Sequence, residues 1–218
     1  QALALKPDFA GAHNNLGLVL QAQGRLKEAV ASLRRAVTCK PDYAEANSNL
    51  GNALQAEGKW EEAVASYRQA LALKPAYAEA HNNLGTVLKE QGRLEEAIDN
   101  YHRALALKPD YAEAHCNLGN ALKEQGRAEE AVASYRHALA LKPDFAEAEN
   151  QLTHQSQHLC EWSRLGELFD RQRQLIQARP AALIPPFTLL SIPSSSAEQL
   201  ACAGTWVATP LGQIARRG

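Results

Sequence analysis

An asparagine recurs every 34 residues between residues 15 and 117, each time directly before a leucine. The four members of this column are Asn15, Asn49, Asn83 and Asn117, and we call them the asparagine ladder. A carboxamide offers two N–H donors and an accepting oxygen, so it can pair with a backbone peptide group whatever side chain that residue carries. The column therefore predicts sequence-tolerant hydrogen bonding to an extended polypeptide.

Acidic residues precede the ladder by four positions, at Glu45, Glu79 and Glu113, with Gly11 at that place in the first unit. Residues four apart lie on the same face of a helix, so these carboxylates extend the predicted peptide-binding surface. In the alternative interpretation, the asparagines cap or bridge neighbouring helices and bind no ligand. The sequence leaves both interpretations open.

Metal and catalytic chemistry are not predicted. His154 and His158 have the spacing of two metal ligands on one helix, but Cys160 lies near the expected helix end and no fourth ligand is obvious. The chain has no glycine-rich phosphate loop, no GxSxG motif and no paired cysteine and histidine nucleophile. We therefore expect no catalytic residue, no metal and no cofactor in these 218 residues.

The 34-residue period extends to whole units. Residues 74–107 and 108–141 share 24 identical positions of 34. Five prolines keep the period, and all six tyrosines fall into two periodic columns: Pro7, Pro41, Pro75, Pro109 and Pro143; Tyr43, Tyr77 and Tyr111; Tyr67, Tyr101 and Tyr135. A period of this length is typical of stacked supersecondary units.

Each unit is predicted to be a helical hairpin. Apolar residues at helical spacing predict a first helix over 78–91, which Gly92 ends, and a second over 94–107, which Lys108-Pro109 stops. Small residues are expected where the helices approach closely: Gly51, Ala63, Ala70, Gly85, Ala97, Ala104, Gly119, Ala131 and Ala138.

The stretch NNLGTVLKEQGRLEEAIDNYHRALALKPDYAEA resembles a tetratricopeptide repeat. The resemblance implies an all-α solenoid of stacked hairpins that forms a right-handed superhelix, with the first helices and the ladder on its concave side. We expect repeats at 10–43, 44–77, 78–111 and 112–145 and a degenerate closing hairpin at 146–179. Since QALALKP at the start repeats residues 69–75, residues 1–9 are interpreted as the end of a truncated repeat, and the first hairpin is expected to expose apolar surface and fray.

Residues 180–218 are expected to be a proline-rich connector and a short helix leading towards a further domain. The segments QHLCEWSRLGEL and PPFTLLSIPSSSAEQLACAGTW resemble the junction after the repeats in bacterial proteins similar to protein O-GlcNAc transferases, the family 41 glycosyltransferases. This resemblance implies that the repeats recruit protein substrates through the ladder for a UDP-sugar-dependent domain, none of whose residues is in this chain. The alternative is a general scaffold or assembly adaptor with no link to glycosyl transfer.

A carboxylate clamp for chaperone C-termini is not expected. Such a clamp needs a basic residue one position before the ladder, where this chain has Asn14, Ser48, Asn82 and Cys116. Lys89 and Lys123 are interpreted as isolated, solvated cations on the groove side.

The composition favours proteins or extended peptides as partners, together with self-association through exposed repeat ends. The 23 basic residues nearly balance 24 acidic ones, which argues against nucleic-acid or membrane binding. No apolar run is long enough for a membrane span and no signal peptide is apparent, so a cytoplasmic location is expected. The widely spaced Cys39, Cys116, Cys160 and Cys202 are interpreted as thiols.

Overall fold

The computed structural model describes residues 9–158, and within this range the regular structure is entirely helical. The helices, in chain order, are α1 Ala10–Ala22, α2 Leu26–Cys39, α3 Ala44–Ala56, α4 Trp60–Leu73, α5 Ala78–Glu90, α6 Leu94–Leu107, α7 Ala112–Glu124, α8 Ala128–Leu141 and α9 Ala146–His158. Odd-numbered helices up to α7 are the first helices of their repeats, and the helix that follows each is its second helix. The predicted all-α solenoid of tetratricopeptide-type hairpins is confirmed.

Two compact parts make up the chain, with the boundary between Ala121 and Leu122. In the first part, α1 packs on α2, α3 on α4 and α5 on α6, while α2 also packs on α3 and α4 on α5. The first helices α1, α3 and α5 contact one another in sequence. In the second part, α8 packs on α9.

A glycine with positive φ ends the first helix of each hairpin. The φ angle is 74° at Gly24, 78° at Gly58, 74° at Gly92 and 81° at Gly126. Glycine adopts this left-handed conformation without steric cost, and it reverses the chain into the second helix. The predicted interruption at Gly92 is confirmed.

A second kind of glycine allows the two helices of a hairpin to touch. A Cβ atom on Gly51 would lie 2.7 Å from the ring of Tyr67, and one on Gly85 would lie 2.8 Å from the ring of Tyr101. Both rings are fully buried, as are the predicted small residues on the second helices, Ala63, Ala70, Ala97, Ala104, Ala131 and Ala138. Tyr67 and Tyr101 are therefore core residues whose rings lie directly against a glycine.

Successive repeats are joined where a lysine ends each second helix. The ammonium groups of Lys74 and Lys108 lie 4.6 and 4.7 Å from the ring centroids of Tyr77 and Tyr111. Equivalent contacts join Lys40 to Tyr43 and Lys142 to Phe145. The column of Tyr43, Tyr77 and Tyr111 thus forms cation–π contacts at the repeat junctions.

The face of α1 that precedes the other repeats is apolar and exposed. Val19 is 54% exposed, whereas Ala53, one repeat later, is fully buried, and Leu16 is 39% exposed against 7% for Leu50. This exposure agrees with the apolar surface expected for the first hairpin, whereas the expected fraying stays a prediction. No helix in the part of the chain described here has the length and apolarity needed to cross a membrane.

Candidate peptide-binding face

The ladder asparagines lie at the middle of successive first helices. Asn15 is exposed on α1, and Asn49, Asn83 and Asn117 are half-buried on α3, α5 and α7. We call the surface formed by these residues and their neighbours on the same helices the first-helix face. Each of the four asparagines is the sixth residue of its helix, because α1, α3, α5 and α7 begin at equivalent positions of the repeat.

Three ladder amides donate a hydrogen bond to the preceding repeat. Asn49 Nδ2 lies 2.9 Å from Asn14 Oδ1, and Asn117 Nδ2 lies 3.0 Å from Asn82 Oδ1. Asn83 Nδ2 lies 2.9 Å from Asn52 Oδ1. The ladder therefore does bridge neighbouring helices, as the alternative interpretation requires. Since a carboxamide carries two N–H groups and a carbonyl oxygen, one bridging bond leaves it the capacity to bind a peptide group as well.

Asn52 is a residue of this face that the sequence reasoning missed. Its Oδ1 also lies 2.7 Å from the hydroxyl of Tyr67, which lies 3.0 Å from Gln55 Oε1. Burial raises the pKa of Tyr67 above its usual value, so the hydroxyl keeps its proton and can donate it. The position of Asn52 is occupied in the other repeats by Leu18, Thr86 and Asn120, so the asparagine recurs in only two of the four units and forms no continuous column.

The predicted acidic residues lie at the repeat junctions. Glu45 Oε1 is 3.3 Å from Lys74 Nζ, and Glu79 Oε1 is 3.6 Å from Lys108 Nζ. Each lysine is also the cation that lies over a junction tyrosine. About half of each carboxylate side chain remains exposed, so the ion pairs leave it accessible to solvent.

Local structure lowers the pKa of Glu45. The main cause is a hydrogen bond from its own backbone N–H in the first turn of α3, and Lys74 adds to it against the cost of partial burial. Glu79 and Glu113 lie close enough to Tyr111 to raise the pKa of that phenol, after the larger effect of burial. The carboxylates are therefore electrostatically coupled to the junctions.

The interpretation of Lys89 and Lys123 as isolated cations is wrong. Lys89 Nζ lies 2.9 Å from Glu90 Oε1. Lys123 Nζ donates to Gln151 Oε1 at 2.9 Å, and Gln151 occupies the ladder position on α9. Both ammonium groups are held by neighbouring polar side chains, in the case of Lys123 from the next repeat.

Two histidines at equivalent positions of successive repeats, His81 and His115, hold their first helices to the preceding repeat junction. The two ring nitrogens of His81 lie 3.2 Å from the carbonyl oxygen of Pro75 and 3.1 Å from Asn100 Oδ1. His115 Nε2 lies 3.0 Å from the carbonyl oxygen of Pro109. These contacts give both histidines a structural role at the repeat junctions.

Metal-binding clusters are absent from the described residues, where no three His, Cys, Asp or Glu side chains could hold one ion. Cys160 and the side chain of His158 lie outside the described residues. The described cysteines, Cys39 and Cys116, are thiols rather than halves of a disulfide. Cys202 lies outside the described residues.

The repeated two-helix unit, its glycine–tyrosine contact and the column of amides define a helical-hairpin repeat protein. One sequence model, described as TPR repeat, matches residues 19–58, 54–92 and 86–126. Another, described as tetratricopeptide repeat, matches residues 112–145. Together the matches span more than half of the chain, which belongs to the tetratricopeptide repeat family.

Solved structures share this fold. The chain is 21% identical to PilF of Pseudomonas aeruginosa, with 95% of this chain and 96% of that chain covered and a TM-score of 0.71. It is 21% identical to YrrB, a TPR protein with an unusual peptide-binding site, with 87% and 95% covered and a TM-score of 0.66.

A third structure is the first TPR of Spaghetti (RPAP3) bound to the HSP90 peptide SRMEEVD. It is 27% identical, with 54% of this chain and 93% of that chain covered and a TM-score of 0.53. Comparison with curated proteins finds no match.

Proposed function

We propose that this chain is a protein-interaction scaffold whose asparagine ladder holds extended polypeptides by hydrogen bonds to their backbone. The observation that carries the proposal is the ladder itself, with one amide at the same position of four successive first helices, each at least partly exposed. A similar repeat domain, the first TPR of Spaghetti, is bound to a peptide. The acidic residues Glu45, Glu79 and Glu113 belong to the proposed peptide-binding surface because they lie on the same helices.

The spacing of the ladder suits an extended ligand. Packed helices lie about 8–10 Å apart, and an extended chain advances about 3.3 Å per residue. One ladder amide would therefore meet about every third residue of the peptide. Contacts at this interval use the peptide backbone and leave the intervening side chains to vary.

The test compares peptide capture by the wild-type chain and by an Asn49→Ala, Asn83→Ala and Asn117→Ala triple variant, using a short peptide selected on the wild type from a random library. Each lost neutral hydrogen bond should weaken binding by about 0.5–1.5 kcal/mol. Loss of three such bonds should therefore weaken binding by about tenfold or more. Gln69→Ala, an exposed amide on α4, is the matched control and should bind like the wild type. Equal capture by the triple variant with intact helicity would contradict the proposal.

The finer proposal is that the scaffold recruits substrates for a protein O-GlcNAc transferase-like enzyme. It is supported by the resemblance of two segments, at residues 157–168 and 185–206, which lie almost wholly outside the described residues. The relatives named above include no glycosyltransferase, so this resemblance is its sole support. The alternative is a general scaffold without a link to glycosyl transfer.

The full-length gene product distinguishes these two functions. The transferase proposal expects a two-lobed UDP-sugar-binding domain beyond residue 218 and sugar transfer to a protein that the triple ladder variant captures poorly. A full-length product without such a domain would leave the general scaffold. The cytoplasmic location also stays a prediction, which subcellular fractionation tests.

A further inference from the structure

The bridging bonds of the ladder continue into a directed chain of amides. Asn117 donates to Asn82 at 3.0 Å, and the Nδ2 of Asn82 donates in turn to Asn83 Oδ1 at 3.1 Å. Asn83 then donates to Asn52 at 2.9 Å. Each ladder amide in this chain therefore has its nitrogen on the side of the preceding repeat, and the orientation of Asn117 is linked to that of Asn83.

Two of the three acceptors of the bridging bonds are more deeply buried than the ladder residues. Asn14 and Asn82 are only 5% and 6% exposed. Asn52 is half-buried, and its oxygen is also held by the buried hydroxyl of Tyr67. Asn14 and Asn82 are therefore poorly placed to contact a ligand, but all three acceptors are well placed to fix the amides that do.

The second repeat differs from the first and third in which residue accepts the bond from the ladder. Its residue at the position of Asn14 and Asn82 is Ser48, which forms no hydrogen bond to the ladder within residues 9–158. Asn52, four positions later on α3, accepts the bond from Asn83 instead. The same bond to the ladder is thus made from two different positions of the repeat.

We infer that Asn82 and Asn52 are positioning residues, which hold the amides of Asn117 and Asn83 in one orientation for binding a peptide backbone. The terminal torsion of an unbound asparagine is broad, so a ladder amide without its bridge samples several orientations. Fixing it beforehand reduces the entropy lost when the peptide binds. This inference rests on the proposed function of the ladder.

The orientation is tested first without any peptide, by NMR relaxation of the side-chain amide groups in the 218-residue chain. In the Asn82→Ala variant, the order parameter of the Asn117 Nδ2 group should fall, while the Ser48→Ala variant, changed at the same position of the second repeat, should leave it unchanged. Asn82→Asp keeps an accepting oxygen and should restore the order of Asn117. An unchanged order parameter in Asn82→Ala would overturn the inference.

Binding is tested next with the library peptide whose capture depends on the ladder. Asn82→Ala should weaken it about 2- to 10-fold, the range expected for one neutral hydrogen bond. Added to an Asn83→Ala and Asn117→Ala background, Asn82→Ala should have no further effect, because the amides that it positions are already gone. A full effect in that background would mean that Asn82 acts independently of the ladder, which refutes the inference.

The two arms separate the two possible failures. If no selected peptide depends on the ladder, the proposed function fails, and the relaxation measurement still decides whether Asn82 orients Asn117. If capture depends on the ladder but Asn82→Ala binds like the wild type, the scaffold function stands and the positioning role is refuted.

Discussion

At the scale of single residues, the repeat depends on glycine where two helices would otherwise collide. Gly51 and Gly85 face fully buried tyrosine rings at distances that leave no room for a methyl group. Periodicity alone predicted these small residues, because a glycine and a tyrosine recur together in the second, third and fourth units. It did not predict Asn52 or the partner of Lys123, since both depend on which side chains meet across neighbouring helices.

Gly85→Ala should destabilise the chain by about 1–3 kcal/mol, because the added Cβ would lie 2.8 Å from Tyr101 in a packed interior. Gly11→Ala is the matched control, since its Cβ would meet nothing closer than Phe9 at 3.7 Å. That control should be neutral or stabilising, as alanine favours a helix over glycine. Urea unfolding measures both free energies, and equal stability of Gly85→Ala and the wild type would contradict the packing argument.

At the scale of helices and their junctions, the pattern of the sequence predicted most of the structure. The first helix expected at 78–91 is Ala78–Glu90, and the second expected at 94–107 is Leu94–Leu107. Gly92 predicts the end of the first helix and Lys108-Pro109 the end of the second, so both ends could be predicted from the sequence. The junction itself was only partly foreseen, because the pairing of Glu45 with Lys74 joins residues 29 apart.

The Glu45 junction should make stability depend on pH. Its folded pKa lies below the ordinary value of 4.5, so the carboxylate stabilises the fold fully above that value and loses this contribution as the pH falls through the folded pKa. Glu45→Gln should therefore be less stable than the wild type at neutral pH and equally stable in strong acid.

Thermal unfolding across this pH range measures the difference. Glu95→Gln, an exposed acidic residue in the first turn of α6, is the control and should show little change at any pH. A gap between Glu45→Gln and wild type that persists undiminished in acid would argue against a stabilising role of the ionised Glu45 carboxylate.

At the scale of the whole molecule, a stack of repeats gains stability from each neighbour interface as well as from each unit. On α1, Leu16, Leu18 and Val19 are exposed to solvent in the described part of the chain. Exposed apolar patches of this kind favour association. The sequence predicted exposed apolar residues on the first hairpin, whereas the handedness of the superhelix and the repeat boundaries remain predictions.

Self-association through the α1 end should respond to charge. Val19→Lys should shift the chain towards monomer in sedimentation equilibrium, because a lysine there would be buried on association. Ala22→Lys, also exposed on α1, is a control outside the apolar cluster and should leave the equilibrium nearly unchanged. A wild-type chain that stays monomeric at every concentration would remove the self-association hypothesis.

The amide bridges have a consequence for how such an array changes in length. Excising residues 44–77 would place the unit that carries Asn83 directly after the unit that carries Asn14. Asn83 could then donate to Asn14, the same acceptor that Asn49 uses at 2.9 Å. The bridging hydrogen bond can therefore form again between units that were not neighbours before. Recombination between similar units would lengthen or shorten the protein by whole repeats and keep an amide bridge at the new boundary.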